Sequence, residues 1–582
     1  MENFNKEKNR KITFVTAFMN VYENKPEIDD RCIEWRLNHF KRLVATNIPL
    51  VIYCSPDYLK YISEIVLFKD NIRIELLDLK ETRTWQYIQK FELKLPSVRN
   101  ELKDTIEYIA LMHTKPELIQ KTIELNPWNS EHYAWIDFNI YHIFKEVPEY
   151  ADAILQTMVE RDFQQESFVA IPGCWEFKFD HLDTLINNIC WRFCGGFFIG
   201  TKDALLEMNE LYSREFVSFL AVSGTLTWEV NFWSFLEYEK GWKPVWYAAN
   251  HDESILNVCP DVSCRTLITD VDSVKYEYPP MEPYVPSSTS YITVWDPIAQ
   301  KDVHVLNTRF VNYTIYNNGV YNIADPNRHI KTRNLCAVLD TVRQIPRAED
   351  WTEMADLSTD SGLVSYGGSI YGLEDIRLFL PDERDQTQIH FVASNMNYQP
   401  NHQIRILEGV YDITQKVCRN VRVLNPPMDT YCEKNWVPIG NEHYIYKWWP
   451  FEIGVLDETN KVNLVLSMRH NTPYFQGVRG SSTFVNSQKY GGWLGVVHFS
   501  VEKWPRHYYH MMVLLDKTTF LPLKYSNFFC FRNKSIEFCT GFAIDDSAEQ
   551  YIFWISNFDK DAECIIMNQD RILLHHSFSF FT

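Results

Sequence analysis

No CxxC pair occurs among the thirteen cysteines of this 582-residue chain, and no short cysteine framework replaces it. That excludes a disulfide-stapled scaffold and a four-thiolate zinc module. Cys190 and Cys194 have helical-type spacing but lack a matching second pair, so a zinc site is not expected there. Positive charge is also scarce: 57 Lys and Arg stand against 76 Asp and Glu, a net charge of −19. A broad nucleic-acid or anionic-membrane surface is thereby excluded. An anionic small ligand then needs a local cation, either Arg/Lys or a metal. Long hydrophobic runs are missing too. The N-terminal "MENFNKEKNRK" is polar and followed by only a short apolar run, so it reads as neither signal peptide nor anchor, and no later stretch is long enough to span a bilayer. The odd cysteine count and wide spacing suit reduced thiols. The expectation is a soluble, cytoplasmic protein with no nucleic-acid partner and no membrane span.

What is present is a globular composition, 46% apolar and 23% charged, with 15% aromatics. Such aromatic content suits stacking sites for sugar rings and equally suits a β-rich core. The length favours two to four domains. The first ~270 residues alternate strand and helix patterns. "KITFVTAFMNV" reads as a buried strand; Ile33, Leu37, Phe40 and Val44 recur at helical spacing; "IPLVIYCS" and "IRIELLDL" read as the next strands. This order predicts a mainly parallel sheet with helices on both faces and ligands beyond the carboxyl ends of its strands. Between Val274 and Ser290 the text becomes "VKYEYPPMEPYVPSSTS", a linker or strap. After it, short apolar runs such as "YITVWD", "QIHFVAS", "GGWLGVVHFS" and "QYIFWISNFD" recur between polar turns. They predict a sandwich, barrel or propeller, and the amount of chain favours a propeller. The expected domains are 1–272, a linker at 273–290, and 291–582.

Four stretches of the first half carry chemistry: "YAWIDFN", "CWRFCGGFFIG", "TWEVNFW" and "AANHDES". Singly, Asp137 and Asn139 are ordinary turn residues, Gly195 and Gly196 a bulge, Glu229 a solvated helix face, and His251 a loop. The alternative is that "AWIDFN" carries an oxygen ligand to a sheet edge for a metal-bound nucleotide. Together the stretches resemble Rossmann-like (GT-A-like) nucleotide-sugar glycosyltransferases, and more closely the HtrL/YibB family, over roughly Ile12 to Leu256. The resemblance implies that Asp137, Asn139 and His251 hold Mn²⁺ or Mg²⁺, with Asn139 in place of a second acid. It implies that Gly195 and Gly196 let the backbone approach a nucleotide-sugar donor. Glu229 would then be the base for an acceptor hydroxyl.

In the second half, "GSIYGLEDIRLF" places Glu374, Asp375 and Arg377 in one apolar strand. Strand alternation puts Glu374 and Asp375 on opposite faces, and a surface ion pair is the plain reading. With "EKNWVPI", "GGWLGVVHF", "RHYYHMMVLLD" and "IEFCTGFAI", the succession resembles the five-bladed propeller family of β-mannoside phosphorylases and related mannosyltransferases. Ile376 stands where that family has proline, and Asn435 where it often has Asp. The resemblance implies Asp375 as catalytic acid, with Arg377, Lys434, His498 and Arg506 lining an anion or sugar site. A second catalytic carboxylate is not visible in the sequence. The whole predicts a glycosyltransferase, possibly bifunctional, that moves a sugar from a nucleotide diphosphate to a glycan or glycoprotein hydroxyl. Its propeller would be a second transferring site or a glycan-binding module. The alternatives are a non-catalytic glycan-binding scaffold and a glycoside phosphorylase with an accessory N-terminal domain.

Overall fold

The computed structural model describes residues 11–19, 21, 32–144, 148–161, 163, 166–176, 182–258, 265–268, 271–382, 387–501, 505–532 and 536–581. The polar segment 1–10 lies outside the described residues. The chain divides into two compact units, Met1–Cys264 and Arg265–Thr582.

The first unit is built on a seven-stranded sheet. Its strands are β1 (Ile12–Phe18), β2 (Leu50–Cys54), β3 (Ile72–Leu76), β4 (His132–Ile136), β5 (Val169–Gly173), β6 (Phe197–Thr201) and β7 (Val245–Ala248). They lie in the order β3-β2-β1-β4-β6-β5-β7. The sheet is mixed: β1 pairs in parallel with β2 and β4, and β5 with β7, while β6 runs antiparallel between β4 and β5. Strands β1, β2, β4, β5 and β6 are buried along their whole length. This explains why their sequences read as continuous apolar runs rather than alternating ones. Helices Ile106–His113, Lys115–Leu125, Lys202–Ser223 and Glu229–Glu239 supply Ile109, Leu118, Phe216 and Trp233 to the core packed on Val15, Val51 and Trp135.

Because β6 is antiparallel, its N-terminal end meets the C-terminal ends of β4 and β5 at one sheet edge. The loops that precede β6 and follow β4 and β7 therefore converge there.

The second unit is all β. It opens with β8 (Arg265–Leu267), β9 (Asp272–Val274), β10 (Val285–Asp296) and β11 (Lys301–Val311). The proline-bearing stretch 273–290 lies inside this unit and contributes the end of β9 and the start of β10. Four small sheets of four or five strands form a propeller-like ring, and an eight-stranded sheet and a two-stranded hairpin complete the unit. Apolar clusters join neighbouring sheets. Val303 and Val305 pack with Leu378 and Phe391, and Leu306 and Tyr291 pack with Ile552 and Trp554.

The regular five-bladed propeller expected from the sequence is corrected by this arrangement, as is its pairing with an assigned GT-A domain. Spacing of apolar runs reports how many strands exist, not how they partition. Here β8 joins the eight-stranded sheet beside Phe528–Cys530, and β9 adds to Asp561–Asn568. The late strands His576–Ser577 and Phe580–Phe581 attach to two different sheets.

Candidate functional sites in the two units

A cavity of about 810 Å³ opens at the sheet edge of the first unit, lined by Asp137, Asn139, Gly195, Gly196, Glu229 and His251. All six candidate residues of this half meet there. Lining it too is a residue that pattern reading missed, Lys115. Its side chain is 1% exposed, and its ammonium donates to Glu229 Oε1 at 2.7 Å and to the Gly195 carbonyl at 2.8 Å. It stands 3.5 Å from Asp137 Oδ1 and 5.6 Å from the centre of the Trp135 ring.

Lys115 opens helix Lys115–Leu125, and Glu229 opens helix Glu229–Glu239. An anion at a helix N-terminus is favoured by the helix dipole. Burial works to raise the Glu229 carboxyl, but Lys115 outweighs it and holds the group below the usual carboxylate range. Glu229 is thus a fixed, ionised partner. Gly195 is required by the same contact, because a Cβ there would lie 2.2 Å from Glu229 Oε1. Asp137 also accepts from the Trp135 indole at 2.7 Å. Beneath the cavity His113 is buried between the Tyr212 hydroxyl and the Thr227 carbonyl, and burial lowers it to about 4. Arg36, Arg99 and Lys103 line the cavity as well, so local cations exist in an acidic protein.

His251 does not stand alone. Its Nδ1 lies 3.7 Å from Cys194 Sγ, which is 3.6 Å from Cys174 Sγ. These three groups form a metal-competent cluster. Spacing in sequence gave no sign of it, since Cys174 follows β5, Cys194 precedes β6 and His251 follows β7. Cys190, the residue that spacing had singled out beside Cys194, is not part of it.

The second constellation lies in the ring. Strand Glu374–Phe379 carries a bulge between Glu374 and Arg377, and Asp375 adopts φ +53°, the left-handed region. The expectation that Glu374 and Asp375 face opposite ways is corrected by that irregularity. Arg309, from β11, donates to Asp375 Oδ1 at 2.8 Å and to Glu374 Oε1 at 3.3 Å. Lys434 donates to Glu374 Oε2 at 2.8 Å. Burial works to raise the Asp375 carboxyl, but Arg309, Lys434 and Arg377 hold it below the usual range.

Arg377 is buried and donates to the Ser481 and Gly480 carbonyls and to Asn435 Oδ1. His498 meets Ser481 Oγ at 3.1 Å and is kept neutral, its pKa depressed chiefly by burial. Arg506 is exposed and acts on Tyr508 and Tyr321.

A further carboxylate, one that sequence reading did not single out, is Asp559, at the end of "QYIFWISNFD". It accepts from the Tyr313 hydroxyl at 2.9 Å and adopts φ +52°. Burial raises it, Arg309 opposes, and the neighbouring Asp375 charge raises it further. A left-handed Asp in a turn is ordinary, so nothing in the sequence marked it.

Residues 10–223 match a family described as "Bacterial protein of unknown function (HtrL_YibB)". That description names no reaction, and the match covers well under half of the chain. No curated protein matches the chain. Among solved structures, a hypothetical protein from Leishmania major is 10% identical, with 52% of this chain and 91% of that chain covered and a TM-score of 0.31. A glycosyl hydrolase from Bacteroides ovatus is 10% identical, with 52% and 99% covered and a TM-score of 0.28. A mannose phosphorylase from Leishmania mexicana, in complex with phosphate ion, is 9% identical, with 55% and 94% covered and a TM-score of 0.24. Two of these three are named as carbohydrate-acting enzymes, and all three similarities are too distant to transfer a reaction. The sequence-based pairing of an assigned nucleotide-sugar glycosyltransferase domain with a five-bladed phosphorylase propeller is corrected by the ring of four small sheets, and the family match names no reaction for the first half. Among the described residues no helix is long and apolar enough to cross a membrane.

Proposed function

We propose that this is a carbohydrate-acting protein whose ring unit cleaves a glycosidic bond, with an anion such as phosphate as the acceptor. The observation that supports this is the Asp559–Asp375 pair, two neighbouring carboxyls pushed in opposite directions around Arg309. Carboxyls with separated proton affinities divide the roles of acid and ionised partner between them. Asp559, protonated, donates to the glycosidic oxygen. Asp375, ionised, stabilises positive charge developing at the anomeric carbon. Lys434 and Arg506 supply cations for the attacking oxyanion. Asp375 is therefore not the acid in this reading; the cations beside it favour its charged form.

The test is phosphate-dependent release of sugar phosphate from manno- and gluco-configured disaccharides by the full chain. Asp559→Asn and Asp375→Asn should each lower the rate by about 10²–10⁴ in protein whose circular dichroism shows it still folded. Full activity in both folded variants would sink the reading.

A second reading is favoured by the cavity of the first unit, which Arg36, Arg99 and Lys103 line together with Asp137 and Asn139. These two side chains offer oxygen donors to Mn²⁺ or Mg²⁺, which when bound would neutralise the diphosphate of a nucleotide sugar. Stabilisation of the protein by a nucleoside diphosphate with Mn²⁺, lost in Asp137→Asn, is its expected signature.

A further inference from the structure

We infer that Cys174, Cys194 and His251 form a zinc site with one coordination position open to the cavity of the first unit. The ligands come from three neighbouring strands of the sheet, at the end of β5, before β6 and after β7. Backbone bonds hold them in place. Cys174 N donates to the Trp191 carbonyl, Cys194 N to the Pro172 carbonyl at 2.8 Å, and Ala249 N to the Gly173 carbonyl at 2.9 Å. The His251 ring is braced edge-on by Trp191, with centroids 4.2 Å apart.

The spacing is that of a tetrahedral ion. With zinc–sulfur bonds of about 2.3 Å and zinc–nitrogen bonds of about 2.0–2.1 Å, two bound sulfurs stand about 3.8 Å apart, and a sulfur and a nitrogen about 3.6 Å. The observed separations are 3.6 Å between the two sulfurs and 3.7 Å between Cys194 Sγ and His251 Nδ1, and all three donor atoms lie within 4.8 Å of one another. The sulfurs are too far apart for a disulfide, and both cysteines are free.

Two thiolates and an imidazole are soft to borderline donors that select zinc over Mg²⁺ or Mn²⁺. Three protein ligands leave a fourth position for water or a ligand oxygen, as in zinc sites that polarise a bound group. Cys194 and His251 line the cavity, so that position opens onto it, whereas Cys174 stands behind. The inference stands apart from the carboxylate pair in the other unit.

The experiment uses the full chain, reduced and metal-free, titrated with Co²⁺ and then Zn²⁺. One equivalent of Co²⁺ should produce a thiolate-to-cobalt charge-transfer band that Zn²⁺ abolishes. Cys190→Ser, whose thiol lies outside the cluster, should keep the band. The double variant Cys174→Ser/Cys194→Ser should lose it. His251→Asn, at an exposed position and so tolerated by the fold, should bind Co²⁺ at least about tenfold more weakly. No thiolate band in the wild-type protein would overturn the inference. So would an undiminished band in the double variant, unchanged affinity in His251→Asn, or a Cys174–Cys194 disulfide in protein kept under reductant.

Discussion

Lys115 shows how one residue governs a site. Its ammonium is buried against two carboxylates, and removing it strands Glu229 without a partner. Lys115→Met should destabilise the first unit by about 3–5 kcal/mol, because breaking one side of a buried pair leaves an uncompensated charge. Urea denaturation followed by tryptophan fluorescence measures it; the double variant Lys115→Met/Glu229→Gln should recover much of the loss. Buried histidines have their own signature. His113 and His470 are lowered by burial to about 4, and His510 to about 3. The unfolded chain takes up these protons near the ordinary value of about 6.5, before the folded one does. Stability should therefore decline as pH falls below about 6.5 and level off once pH is below about 3–4, where both states are protonated. Melting temperature followed from pH 7.5 to 4 should drop, and His113→Gln should flatten the drop in the first unit.

At the scale of the element, the decisive irregularities are places where the chain leaves regular geometry. Strand Glu374–Phe379 would send adjacent acids to opposite faces if it were uniform. The bulge and the left-handed Asp375 send both toward Arg309 instead. Asp enters that region more readily than most residues, yet glycine still takes it at lower cost, by up to about 1 kcal/mol. Asp375→Gly should consequently offset the lost ion pair in part, giving a protein less destabilised than Asp375→Ala yet equally inactive in sugar release. Helix Lys202–Ser223 ends on Gly224 at φ +61°, whose N–H donates to Leu220, and nothing lies within 4 Å of a Cβ placed there. Gly224→Ala should then cost about 1–2 kcal/mol from backbone conformation alone.

At the scale of the molecule, the chain is two cores joined in sequence, and each sheet system has its own apolar clusters. We expect 1–264 and 265–582 each to fold when expressed separately. A shorter second fragment starting at residue 291 loses β8, β9 and the opening of β10, which complete three different sheets. It should melt lower than 265–582 by several degrees, or aggregate through the edges it uncovers. Equal stability of the two fragments would mean that these early strands contribute nothing to the ring.

The sequence by itself determined the kinds of element and the change of grammar between the halves, because hydrophobic period is a local property of the chain. It also placed Asp137 at a strand end and gathered Glu374, Asp375 and Arg377 in one strand. Tertiary structure alone decided which distant groups meet. Lys115 lies 114 residues before the Glu229 it neutralises. Cys174 and Cys194 are 20 residues apart and reach His251 only because β6 runs antiparallel between its neighbours. Asp559, near the end of the chain, comes within electrostatic reach of Arg309 and Asp375. The number of sheets was decided the same way, since β8 and β9 pair with strands more than 250 residues later. No periodicity reports a partner that far along the chain.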